Sequence, residues 1–401
     1  MASEARMAER SQHAESGGQD GRSESPETRQ GRSLPTPPPG RHIPQSIELC
    51  PAAPTAMIKY LGSKRALLGL ITDTIAEAAP GGSVLDLFSG TSRVGHALKK
   101  RGHRVIANDH NAYAHALARC YVAADLDDLR EPAESLVKEF NGLRAAPGYF
   151  TQTFCEQSRF FQPKNGARID AIREAIVRKS LPPDLEAVML VSLMEAADRV
   201  DSTTGVQMAY LKKWAPRASN DLELRVPDML PRPAGGKCAA LCLEAAEAAR
   251  RSPVDLAYVD PPYNQHSYLG NYHIWESLVR WDKPEVYGVA CKRIDCRGRK
   301  SVFNSRPGSR GAMAEMLEAI QARVIVVSFS NEGYLDRVAM EELLGGLFAG
   351  RAHVTTIETD HKRYVGAQIG IHNPQGEKVG TVSHLRNKEY LYVVSERPFV
   401  T

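Results

Sequence analysis

Ser83-Val84-Leu85-Asp86-Leu87-Phe88-Ser89-Gly90-Thr91-Ser92 is the stretch that decides the fold. Residues 83–88 form a short apolar run, which reads as a buried strand, and Ser89–Ser92 reads as a turn. Val94 to Lys100 then reads as a helix, Arg104-Val105-Ile106-Ala107-Asn108 as a second strand, and Ala112 to Tyr121 as a second helix. Strand, turn, helix, strand is a βαβ unit, and such units build a parallel sheet with helices on its faces. The expected class is α/β.

Outward from that unit the pattern changes twice. Residues from about 125 to 250 are mostly of helical period, with amphipathic stretches at 168–179 and 185–199, and read as an inserted helical domain. The sheet returns at Asp255-Leu256-Ala257-Tyr258-Val259 and at Val324-Ile325-Val326-Val327-Ser328. Alternating stretches at His353–Glu358 and Glu389–Val394 suggest a closing β-hairpin. Upstream, residues 1–55 are rich in Ser, Gly, Glu, Arg and Pro, without an apolar period, and are expected to be a disordered tail. The globular pattern begins at Met57, which reads as the natural start. The expected division is a tail at 1–55, a first part of the sheet domain at 56–124, the insertion at 125–250 and a second part at 251–401.

Composition excludes several classes. The chain has 401 residues, 42% of them hydrophobic, enough for a sizeable core. Its net charge of +4 permits a nucleic-acid partner without requiring one. No run of about 18 apolar residues suggests a membrane span, and no secretory signal is evident, so a cytoplasmic protein is expected. The seven cysteines are odd in number and irregularly spaced, which suits reduced thiols. Cys238, Cys242, Cys291 and Cys296 lack paired metal-ligand spacing, so no metal site is expected.

The chemistry centres on Asp260-Pro261-Pro262-Tyr263, directly after the strand at 255–259. That is the carboxyl edge of the sheet, where open α/β folds bind ligands. An exocyclic ring amine is a poor nucleophile because its lone pair is delocalised. The Asp260 carboxylate and a carbonyl of the Pro261-Pro262 segment can bind its two hydrogens and aim the lone pair. The prolines fix φ and hold those carbonyls in place. Tyr263 offers a ring for an extruded base. At the first strand, Gly90 lets the backbone approach a ligand. Gly90 and Gly95 have phosphate-loop spacing, but His96 and Ala97 stand where Lys and Ser/Thr are required, which argues against a nucleoside triphosphate. Asp109, about 20 residues past the Gly turn, sits where dinucleotide folds place a carboxylate on ribose hydroxyls. Lys59-Tyr60-Leu61-Gly62-Ser63-Lys64 supplies a Lys and an aromatic before the first strand.

The ordered set Lys-Tyr-Leu-Gly-Ser-Lys at 59–64, Asp-Leu-Phe-Ser-Gly-Thr at 86–91, Asn-Asp at 108–109 and Asp-Pro-Pro-Tyr-Asn at 260–264 resembles the Dam-like DNA adenine methyltransferases over roughly residues 57–395. The resemblance implies a Rossmann-like methyltransferase sheet with helices on both faces. It implies S-adenosylmethionine as methyl donor and duplex DNA as substrate, with methylation at adenine N6 after base flipping. It maps Tyr60, Lys64, Asp86 and Asp109 to cofactor positions, with Phe88 and Gly90 beside them, and Asp260 to Tyr263 to the catalytic motif. Glu244 stands in for an aspartate that relatives place near the cofactor adenine, and Ser63 replaces a glycine. A cognate restriction endonuclease is a further partner the resemblance suggests, and a monomer is expected.

For DNA contact the sequence offers Lys292, Arg293, Arg297, Arg299 and Lys300, followed by Arg306 and Arg310. Gly298, Gly308 and Gly311 make this basic stretch read as a flexible loop able to cover the phosphate backbone. Tyr268, Tyr272, His273 and Trp275 either line the cleft or pack a helix. Lys212, Lys213 and Arg217 mark the end of the insertion as a place for base-reading residues. Two other readings stay open from the sequence. One is methylation of another planar amine, in cytosine, RNA adenine or a protein glutamine. The other is a DNA-binding protein without catalysis on the same scaffold.

Overall fold

Along the strands, apolar side chains point alternately to two faces, and helices cover both. The structure is a computed structural model and describes residues 57–60, 62, 64–362 and 386–399. The expected tail, Leu61 and Ser63 lie outside the described residues. Seven strands make one sheet: β1 (Val84–Asp86), β2 (Val105–Asn108), β3 (Ala239–Leu241), β4 (Val254–Val259), β5 (Ala322–Ser330), β6 (His353–Lys362) and β7 (Arg386–Ser395). Their spatial order is β3-β2-β1-β4-β5-β7-β6. The first five are parallel, whereas β7 runs antiparallel to both β5 and β6.

Val84, Val105, Leu256, Tyr258, Leu391 and Val393 face the helices Leu68–Ala78 and Arg93–Lys100 through Ile71, Ile75, Val94 and Leu98. Their chain neighbours Leu85, Ile106, Ala257, Val259, Tyr392 and Val394 face the helices Ala245–Arg251, Arg306–Ala319 and Arg337–Gly345. The outer side of β6 has no strand partner among the described residues. Three of its residues, His353, Glu358 and Asp360, are exposed.

The remaining helices form a third core of their own. Leu126–Asn141, Pro163–Lys179 and Pro183–Arg199 pack through Leu136, Ile172, Val188 and Met189. The insertion differs from its expected bounds in two ways. Ala239–Leu241 pairs in parallel with Ile106–Asn108, so the sheet resumes before residue 250. Three residues of Ala-Ala-Leu are too few to show a period. The helix His273–Arg280, beyond the Asp-Pro-Pro-Tyr segment, packs into the helical core through Ile274, Trp275 and Leu278.

This topology fixes where a ligand can sit. The chain runs from β1 outward to β2 and β3, then returns to place β4 on the other side of β1. The gap between the carboxyl ends of β1 and β4 is therefore the switch point of the sheet. Asp86 is in register with Tyr258, which brings the turn after β1 level with Asp260.

Candidate active site

At the end of β1 the backbone stays held on both sides. Leu87 N–H donates to the Tyr258 carbonyl at 3.0 Å and Ser89 N–H to the Asn108 carbonyl at 2.9 Å. The chain then turns at Gly90, φ +51°, where an added Cβ would lie 3.6 Å from the Tyr60 ring. Ser92, also left-handed at φ 61°, opens the helix Arg93–Lys100. Asp109 fastens this turn: one carboxylate oxygen accepts from Gly90 N–H at 3.1 Å, the other from Asn111 N–H at 2.9 Å. Asn108 ties three segments, donating to the carbonyls of Leu87 and Leu243 and accepting from Leu243 N–H, each at 3.1 Å.

One cavity opens over this turn, with about 1000 Å³ of empty space including its mouth. Tyr60, Lys64, Asp86, Phe88, Gly90, Asp109, Glu244, Asp260 and Pro262 all line it. Segments far apart in sequence thus meet at the switch point. Glu244 is at the rim, its side chain 80% exposed, with His110 Nδ1 3.5 Å away. Pro261 is buried, and neither it nor Tyr263 is part of the wall. Tyr263 lies edge-on to Phe329, with Lys64 Nζ 5.9 Å from its ring centre.

Burial sets the electrostatics. Lys64 Nζ lies 3.1 Å from Asp260 Oδ1, and the side chains are only 10% and 17% exposed. Burial raises the Asp260 carboxyl to about 6, against the opposing pull of Lys64. Burial also raises Asp86 to about 7, helped by the charge of Asp260 and opposed by a 3.1 Å hydrogen bond from Gly95 N–H. The Lys64 ammonium is pulled down by burial, but the carboxylates of Asp260 and Glu389 outweigh this and hold it protonated.

Tyrosines wall the other side. The Tyr60 ring stacks on Tyr268 at 5.3 Å and on Tyr272 at 4.4 Å, and its hydroxyl meets that of Tyr113 at 3.1 Å. Gly62, φ +76°, leaves room for the Tyr268 hydroxyl, which would lie 2.7 Å from an added Cβ. Of the aromatic cluster, Tyr268 lines the cavity, while Tyr272, His273 and Trp275 are buried in the helical core. Sequence reasoning missed Asn111, Phe303 and Asn304 in the cavity wall. Asn304 Nδ2 donates to the Asn264 carbonyl at 2.7 Å and so steadies the loop after Asp260. A lone Asn carries no signal for this.

The basic stretch is not a loop throughout. Val286–Tyr287 and Lys292–Arg293 form a small antiparallel ribbon, and Gly308 and Gly311 lie within the helix Arg306–Ala319. Arg293 is corrected as a DNA contact: its side chain is 1% exposed and forks onto Asp282 at 2.6 and 2.7 Å. DNA cannot reach it. Arg299 is tied to buried Glu276 at 3.1 Å and to Asp295 at 3.3 Å, and it lines the cavity. Arg297 and Lys300 are exposed, Lys292 is half-buried, and Arg297 lies over the Tyr287 ring at 4.2 Å. Arg217 is engaged by Asp201 at 2.7 Å, whereas Lys212 and Lys213 are exposed.

The site spans residues 60 to 304, and a family model covers that span. The model of the D12 class N6 adenine-specific DNA methyltransferases matches residues 60–337. The chain belongs to this family. Among curated relatives of this D12 chain, the type II methyltransferase M.FokI of Planomicrobium okeanokoites is 30% identical over 306 residues, covering 72% of this chain and 46% of the relative. The type II methyltransferase M.NlaIII of Neisseria lactamica is 26% identical, covering 84% of this chain and 99% of the relative. The type II methyltransferase M.CviAII of Paramecium bursaria Chlorella virus 1 is 28% identical, covering 77% and 92%. The chain thus spans about half the length of M.FokI and nearly all of M.NlaIII.

Proposed function

We propose that this D12 family member transfers the methyl group of S-adenosylmethionine to N6 of adenine in duplex DNA, with the base extruded from the stack. One observation carries most weight. Asp260 and Pro262 open into the same cavity as the Gly90 turn and Asp109. An amine bound at Asp260 would therefore meet a donor bound over the turn.

The residues suit that donor. The cavity gathers the carboxyls of Asp86, Asp109, Asp260 and Glu244, a setting for a ligand bearing a sulfonium and an ammonium. Ser89 Oγ and Asn111 Oδ1 are buried in its wall and have no protein partner, so both are free to bind a polar ligand. Asp109 is placed for ribose hydroxyls, Tyr60 and Phe88 for the purine, and the Gly90 backbone for close approach. When bound, the donor supplies an electrophilic methyl carbon.

The chain supplies the rest. Asp260 accepts one amino hydrogen, and a peptide oxygen of the rigid Pro261-Pro262 segment accepts the other. The amine is then held with its lone pair free. After attack the nitrogen is strongly acidic, so it needs no separate base, and Asp260, with its carboxyl near 6, can take the proton. Exposed Lys300 and Arg297, with half-buried Lys292, are the cations we assign to the DNA backbone. We take the protein to work as a cytoplasmic monomer. No helix among the described residues is long and apolar enough to cross a membrane. The type II relatives support a cognate restriction endonuclease as a second partner.

Incubation with labelled donor and genomic DNA, followed by identification of the modified nucleoside, tests the reading. N6-methyladenine is expected; N4-methylcytosine or no transfer to DNA would overturn it. Asp260→Ala is expected to lower the rate by about a hundred- to a thousandfold while the circular-dichroism spectrum of the folded chain is retained. A normal rate in that variant would move the active site elsewhere.

A further inference from the structure

Lys64 does not face Asp260 alone. Its ammonium also lies 3.4 Å from Glu389 Oε2. The side chains of Lys64 and Glu389 are 10% and 11% exposed. Sheet topology makes the meeting possible. β7 runs antiparallel to β5 with Glu389 opposite Ser330, so the start of β7 lies at the carboxyl edge of the parallel strands. Glu389 shares a face with Leu391 and Val393, whose neighbours there include Tyr258 and the helix that follows Lys64.

Neutralising Lys64 would need one carboxylate. A second, almost buried, adds a further desolvation cost and leaves the cluster with a net charge of −1. The other titratable groups facing Asp260 are Asp86, Tyr258, Tyr263 and Tyr268, with Glu332 beyond Tyr263. Burial raises the three phenols, so they stay neutral. The excess negative charge beside Asp260 comes from Asp86 and Glu389, and of these two Glu389 touches Lys64. An ammonium bonded to Asp260 alone would take up much of its capacity to accept a hydrogen bond. An ammonium shared between two carboxylates takes up less.

We propose that Glu389 is a positioning residue that holds Lys64 between two carboxylates, so that Asp260 keeps its acceptor strength for the target amine and the site stays net negative as positive charge develops there. This rests on the proposed amine methylation, and the test separates the two.

Glu389→Gln and Glu389→Asp are compared with the parent chain in two measurements. The first is steady-state methyl transfer to DNA against pH. The second is infrared titration of the Asp260 carboxyl in the donor-free protein, its band assigned by difference from Asp260→Asn. Glu389→Gln is expected to lower kcat by about tenfold with KM for DNA unchanged. Its acid limb and its infrared midpoint are both expected to move to lower pH, because Lys64 then acts on Asp260 alone. A slower enzyme with a more readily ionised Asp260 is the signature. Glu389→Asp keeps the charge and is expected to recover most of the rate. An unmoved midpoint overturns the proposal, whether kcat holds or falls together with the melting temperature. Should Glu389→Gln not fold, Glu389→Ala takes its place under the same readings: an infrared midpoint at lower pH than the parent's supports the proposal, and an unmoved midpoint overturns it. A parent chain that methylates no DNA defeats the proposed function, while the titration still decides the role of Glu389.

Discussion

Asp260 is useful to an amine only when ionised, and its carboxyl is raised to about 6 by burial. Activity measured as kcat/KM should therefore fall as pH drops through about 6. Lys64 opposes the rise, so Lys64→Met is expected to move that acid limb to higher pH; a limb that stays put would separate Lys64 from Asp260. Asp86 yields a stability prediction instead. Its folded value is about 7 against 3.8 for the free side chain. Below about pH 4 both folded and unfolded forms are protonated, and nothing is lost. Between 4 and 7 the unfolded chain releases its proton first, so stability declines as pH rises and levels off above 7. Three units correspond to roughly 4 kcal/mol. Asp86→Asn, which keeps an acceptor for Gly95 N–H, is expected to be more stable than the parent in urea at pH 8 and similar at pH 4. Equal stability at both would remove the claim.

The ribbon at Val286–Tyr287 and Lys292–Arg293 separates cations that hold the fold from cations free to meet phosphate. Arg293→Met removes the buried guanidinium that joins Asp282 to Asp295, both part-exposed and both still paired with Arg280, and is expected to cost about 0.5–3 kcal/mol, with little change in the salt dependence of DNA binding. Lys300→Ala should do the reverse. Stability stays within about 0.5 kcal/mol, and the slope of log affinity against log salt falls by about 0.9. The same contrast explains what the sequence could convey. Strand and helix periods are local, so the unit from Val84 to Asn108, the strand before Asp260 and the late hairpin were all legible. A count of basic residues carries no burial, so Arg293 and Lys300 look alike until their neighbours are known. Ala239–Leu241 was invisible because three small residues have no pattern, and only pairing with β2 makes them a strand.

Across the whole molecule, the candidate site is assembled from segments that the sequence separates by as many as 244 positions, from Tyr60 to Asn304, and Glu389 reaches Lys64 from further still. Motif order was enough to bring Tyr60, Asp86, Asp109 and Asp260 together, because each ends or precedes a strand of one parallel sheet. Glu389 was not found, since it belongs to an antiparallel strand and nothing local marks its arrival beside Lys64. A ligand that spans such a site binds only the folded chain. Saturation with the donor at a hundred times its Kd is thus expected to add about 2.7 kcal/mol to global stability, read as a rise in melting temperature. No rise would mean that the cavity does not hold it. The far border of the sheet has a different consequence. Among the described residues β6 has no strand partner on that side, yet exposed Glu358 and Asp360 stand along it. A second molecule docking strand to strand would have to disturb the ion pairs of Glu358 with Arg337 and Lys388, so crowded solutions of this protein should resist fibrous self-association near neutral pH and lose that protection in acid.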